Sequence, residues 1–62
     1  MIDHITEFTH KNGNRTIKVF YKSGRVYTFG TNDNLPSSML DKYLNGKAET
    51  IYTYYGKVTY IR

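Results

Sequence analysis

Between Arg15 and Phe29, apolar and polar positions alternate in two short arms around a polar centre, and the rest of the chain can be read as what covers or extends that ribbon. Ile17, Val19 and Tyr21 alternate with Thr16, Lys18 and Phe20. After Lys22, Ser23, Gly24 and Arg25 come Val26, Tyr27, Thr28 and Phe29. β-Branched and aromatic residues suit a pleated, half-buried surface. Ser23-Gly24 is a candidate two-residue turn, because glycine accepts the positive φ that a short hairpin needs. Such a turn sets Tyr21 opposite Val26, Phe20 opposite Tyr27, Val19 opposite Thr28 and Lys18 opposite Phe29.

The segment before this hairpin admits two readings. Ile2, Ile5 and Phe8 recur every third residue, as on one face of a helix, whereas Thr6, Phe8 and Thr9 favour a strand. Asn12-Gly13 is a strong hairpin signal, and as a two-residue turn it sets Phe8 opposite Ile17 and Thr6 opposite Val19. That register gathers Phe8, Ile17, Val19, Tyr21 and Val26 on one face, so a first strand is the better reading. The other face then carries Thr16, Lys18, Phe20, Tyr27 and Phe29. The aliphatic face is the better core; the aromatic and basic one is surface, a second covered side or a binding platform.

Beyond Phe29, the run Gly30–Asn34 is polar and reads as a loop. Pro36 opens the one predicted helix, since proline is favoured at the first helical position. Met39, Leu40, Tyr43 and Leu44 form its apolar stripe, and Asn45-Gly46 ends it. A last hairpin runs from Ala48 to Tyr55 and from Lys57 to Arg62 about a Tyr55-Gly56 turn. It sets Ile51 opposite Tyr60 and Thr53 opposite Val58, with Tyr52 beside Thr59 and Tyr54 beside Lys57 on the other face. The expected fold is α+β: a five-stranded antiparallel sheet with one helix packed across it, in the order β-β-β-α-β-β, forming a single small domain over residues 1–62.

A chain of 62 residues has only a small core, worth about 3–5 kcal/mol, and no cysteine is present to staple it. Either a marginal monomer or a homodimer follows. The absence of cysteine is compatible with a reducing cytosol. No apolar run approaches the ~20 residues needed to span a bilayer, and Asp3, His4 and Glu7 stand where a signal peptide would be basic and then apolar. The expected location is the cytoplasm, with no membrane partner.

Nine Lys and Arg against five Asp and Glu leave a net charge of +4. That excess favours polyanions, nucleic acid first and acidic protein surfaces second. Signatures of catalysis are missing. His4 and His10 lack metal-ligand spacing. Ser23, Ser37 and Ser38 lack a nucleophile elbow, Asp33 and Asp41 lack a partner that would tune one as an acid, and no glycine-rich phosphate loop occurs. No enzyme activity, metal or cofactor is expected. What does suggest chemistry is the interleaving of seven tyrosines and three phenylalanines with basic residues. Sheets that bind single-stranded nucleic acid stack bases on rings while cations follow the phosphates. The candidate contacts are Lys18, Phe20 and Tyr27 on the first hairpin, Lys22 and Arg25 at its tip, and Tyr52, Tyr54 and Lys57 on the last hairpin. The same rings would serve a protein partner or a second copy of the chain, and the final strand, with Tyr60, Ile61 and Arg62, is a candidate open edge.

From Val19 to Gly24, followed by Tyr27-Thr28-Phe29 and the helix Pro36–Leu44, the chain resembles the KTSC domain. This family of similar length occurs alone in bacteria and phages and at the C-terminus of some lysyl-tRNA synthetases. The resemblance covers roughly residues 15–45. Phe29 departs from the family's Tyr-x-Tyr-like element, and the small residues expected after the helix are replaced by Lys47, Glu49 and a tyrosine-rich strand. The resemblance implies RNA binding and carries over no site residue. Two functions stand: a nucleic-acid-binding module, and a protein-binding modulator such as a phage-encoded inhibitor of a bacterial enzyme or defence system.

Overall fold

The computed structural model describes residues 1–62. Its strands are β1 (Ile2–His10), β2 (Arg15–Tyr21), β3 (Val26–Gly30), β4 (Ala48–Thr53) and β5 (Gly56–Ile61), with one helix, α1 (Ser37–Asn45), between β3 and β4. They make one antiparallel sheet of spatial order β3-β2-β1-β5-β4. The expected α+β architecture is therefore present. The final strand, however, is not an edge. β5 lies between β1 and β4, and Ile61 is buried in the core. The edges are β3 and β4, and all six residues of β4 are exposed.

Both early hairpins differ from the expected register by one residue, for one shared reason. In each, the loop has three residues and ends in a left-handed glycine. The Gly13 amide donates to the His10 carbonyl at 2.9 Å, and the His10 amide donates to the Asn14 carbonyl at 2.7 Å. The same pair of bonds joins Gly24 to Tyr21 and Tyr21 to Arg25, each at 2.9 Å. Gly13 and Gly24 have φ of 92° and 96°, and no non-glycine residue has a positive φ, which excludes a type I′ turn. This is a type I-like turn closed by a glycine bulge, a common three-residue hairpin loop. Because side chains alternate with period two, a slip of one residue turns a whole strand over. Ile17 pairs with Glu7 and Phe29, Val19 with Ile5 and Tyr27, and Phe20 with His4 and Val26. Phe8 and Val26 thus leave the face of Ile17 and Val19, while Tyr27 and Phe29 join it. In the last hairpin the turn residues are Tyr54 and Tyr55, so Ile51 pairs with Val58 and Thr53 with Gly56. That slip is of two residues, and the strand faces stay as expected.

The helix settles on the face of Ile5, Ile17, Val19 and Ile61, and Met39 closes the cluster. Ile2, Tyr21, Phe29, Leu35 and Tyr43 pack around it. Pro36 stands not at the first helical position expected of it but one residue before, as the N-cap with extended ψ of 143°, its carbonyl accepting from the Met39 amide at 3.0 Å. Half of the expected stripe faces outward: Leu40 and Leu44 are exposed while Met39 and Tyr43 turn to the sheet. A polar clamp completes the contact. The Tyr43 hydroxyl donates to Glu7 Oε2, and Arg15 Nη1 lies 3.4 Å from that hydroxyl and 4.0 Å from the carboxylate. Burial, then the hydrogen bond to Glu7 and the charge of Glu7, push the Tyr43 hydroxyl above its ordinary pKa.

Candidate nucleic-acid interface

With the helix on one side, the opposite side of the sheet has no cover. Paired residues of antiparallel strands share a face, so the pairings define this surface. It carries His4, Phe8 and His10 on β1, Lys18 and Phe20 on β2, and Val58 and Tyr60 on β5, with Val26 and Ile51 on the edge strands. The rings lie on the three central strands. His4 stacks flat on Phe20, with centroids 4.4 Å apart and planes 8° from parallel, and His10 meets Phe8 edge-on at 4.6 Å. His4, Phe8, Phe20 and Tyr60 are half-buried by their neighbours, His10 is exposed, and Val26 and Ile51 are about half exposed. Threonines fill the positions between them, including Thr6, Thr16 and Thr28.

Charge is distributed unevenly. Lys18 sits in the middle of the open face, and Glu49 lies on β4 beyond Tyr60. One end of the sheet collects cations. The Lys22 amide bonds to the Met1 carbonyl, Lys47 and Arg62 exchange backbone hydrogen bonds, and Lys42 and Arg62 line a cleft with Met1 and Tyr21. Arg25 stands beside Tyr21 on the adjoining hairpin tip. Asp3 and Asp41 temper this end. The hydrogen bond from His4 Nδ1, 2.8 Å long, holds the Asp3 carboxyl below its ordinary value, and the charges of Lys22 and Lys42 act in the same direction. Of the nine Lys and Arg residues only Arg15 lies within 4.0 Å of a carboxylate oxygen, so the other cations are free to meet an external anion.

The residues singled out in the sequence do not converge on one surface. Lys18 and Phe20 share the open face. Tyr27, Tyr52 and Lys57 project to the helix side. Lys22 and Arg25 occupy the β2–β3 tip, and Arg25 and Tyr27 line one groove there. Tyr54 leaves the strand for the β4–β5 turn at the other end, where the Lys11 ammonium stands 4.3 Å from its ring centroid. Sequence reasoning missed His4, Phe8 and Tyr60 as open-face rings. His4 and Phe8 were missed because Asn12-Gly13 and Ser23-Gly24 close a two-residue or a three-residue loop equally well, and the three-residue form turns these rings to the open face.

No group of three or more His, Cys, Asp or Glu side chains comes together to hold a metal ion. No helix is long and apolar enough to cross a membrane. Among known proteins, no family model matches the chain, and neither a curated protein nor a solved structure matches it. The KTSC resemblance therefore rests on the hairpin and helix residues alone.

Proposed function

We propose that this chain is a non-enzymatic cytoplasmic module that binds single-stranded nucleic acid, RNA first, on its uncovered sheet face. The observation that carries the reading is that Phe20, Phe8 and Tyr60, on three adjacent central strands, all face away from the helix, at staggered levels: Phe20 beside His4, Tyr60 beside Thr6 and Phe8 beside Val58. Rings so placed offer separate stacking positions to the bases of one strand, each stack contributing about 1–3 kcal/mol. Lys18 among them, and Lys22 and Arg62 at the basic end, supply the phosphate contacts. RNA as ligand agrees with what the KTSC resemblance implies.

Fluorescence anisotropy with a labelled single-stranded RNA oligonucleotide tests this. Binding at about 50 mM salt is expected, falling steeply as salt rises. Phe8→Ala and Phe20→Ala should each weaken it by about tenfold, the lower end of one stacked base. Absence of binding at low salt, or binding unchanged by both substitutions, overturns the reading.

One observation favours the alternative of a protein-binding modulator. Leu40, Leu44 and Tyr52 are exposed away from the open face, where a nucleic acid lying on that face would not cover them. A stoichiometric protein partner that survives nuclease treatment and is lost on Leu44→Asp would favour it. A homodimer, detected by light scattering, would point to self-burial of the sheet.

A further inference from the structure

A second concave surface lies on the helix side, at the β2–β3 hairpin, beside the core and away from the open face. Tyr21, Ser23, Arg25, Tyr27, Phe29 and Pro36 line it, enclosing about 490 Å³. That is within the ~300–1,000 Å³ of ordinary small-ligand sites. Tyr21 and Tyr27 meet edge to face, centroids 5.5 Å apart and planes at 85°. An edge-to-face pair leaves ring surface free for a planar guest. Neither hydroxyl is hydrogen-bonded within the chain, in contrast to that of Tyr43. Arg25 is the only charged residue in the lining, and no carboxylate neutralises it.

We infer that this groove binds a single nucleotide, its base against the aromatic walls and its phosphate on Arg25. An uncharged apolar guest would leave the guanidinium without a partner. A simple anion would make no use of three rings. A nucleotide satisfies both, since the guanidinium fork matches phosphate oxygens and a base offers a flat π-surface. Ser23 and the two free phenols add donors at the mouth. β3 is an edge strand on which Val26 faces the open side and Tyr27 faces the groove. A nucleic-acid chain passing round that edge would reach both surfaces. The groove is nonetheless a separate site, and the residues whose resonances a mononucleotide shifts tell it from the open face.

The experiment is a backbone-amide NMR titration of the full chain with adenosine 5′-monophosphate, with adenosine, ribose 5-phosphate and a proline-rich peptide as separate arms. The nucleotide should shift resonances between Tyr21 and Phe29. Adenosine and ribose 5-phosphate should each bind about tenfold more weakly, as expected for loss of a charge-assisted contact or of a stack. Arg25→Gln and Tyr27→Ala should weaken the nucleotide to a similar degree, while Tyr55→Ala, in the β4–β5 turn at the other end of the sheet, leaves it unchanged. The inference is overturned if groove resonances stay still at about 10 mM nucleotide, where even millimolar affinity would register. It is equally overturned if adenosine binds as well as its monophosphate, if the shifts fall on Phe8 and Phe20 instead, or if only the peptide binds the groove.

Discussion

At the scale of single residues, Tyr43 and Gly56 show how much depends on a few atoms. Tyr43 joins the helix to β1 through Glu7, and the folded state holds its proton more tightly than the unfolded chain does. A raised folded pKa gives a stabilisation that is complete below the unfolded value near 10 and is lost as pH rises through the folded value. The urea midpoint should therefore fall on the alkaline side of pH 10, and Tyr43→Phe should flatten that decline while costing about 1 kcal/mol near neutrality. An unchanged alkaline limb in the variant would refute the assignment. Gly56 has φ of 149°, and a Cβ there would run into the Thr9 carbonyl of β1. Gly56→Ala should destabilise by more than about 1 kcal/mol in the same assay, whereas an alanine tolerated without loss would mean that β1 and β5 lie farther apart than described.

At the scale of elements, the first strand decides which side of the sheet is core. Ile5, fully buried, stands opposite Val19, where the two-residue turn would have placed Thr6, and Phe8 moves from opposite Ile17 to opposite Thr16 on the other face. Ile5→Ala should cost about 2–5 kcal/mol, enough to unfold a domain with about 3–5 kcal/mol in hand. Phe8→Ala, on the open face, should leave the circular dichroism spectrum folded; the reverse result would restore the other register. The existence and order of the elements were legible because each glycine falls between patterned segments and proline opens the helix. Face assignment for the aliphatic positions of β2 was legible too, since Ile17 and Val19 have no comparable competitor on their strand. Register was not, because two-residue and three-residue loops end in the same Asn-Gly or Ser-Gly pair and differ only in which residue starts the turn. The candidate site inherited that ambiguity: Lys18 and Phe20 stayed together, while Tyr27 crossed to the other side. The outward half of the helix stripe was likewise hidden, since spacing places Leu40 and Leu44 beside Met39 and Tyr43 without saying how wide a face the sheet can cover.

At the scale of the whole molecule, charge rather than packing sets the range of behaviour. Cations gather at the end where β1 begins, and all but Arg15 lack a carboxylate partner. For single-stranded nucleic acid, log affinity should fall with log salt by about 0.7 per phosphate contact. Lys18→Gln with Lys22→Gln should flatten the slope by about 1.4 if each meets one phosphate; a slope that does not move would remove both from the contact. Charge is thin at the opposite margin. Along β4 and its turn, Thr50 to Tyr55 is a six-residue stretch with no charge, proline or glycine, exposed throughout and lying on an unpaired sheet margin. Such a stretch is a template for fibril growth, held in check only by Glu49 and Lys57 at its two ends. Thioflavin fluorescence should rise on prolonged incubation at high protein concentration, and Tyr52→Lys should abolish the rise while the monomer stays folded.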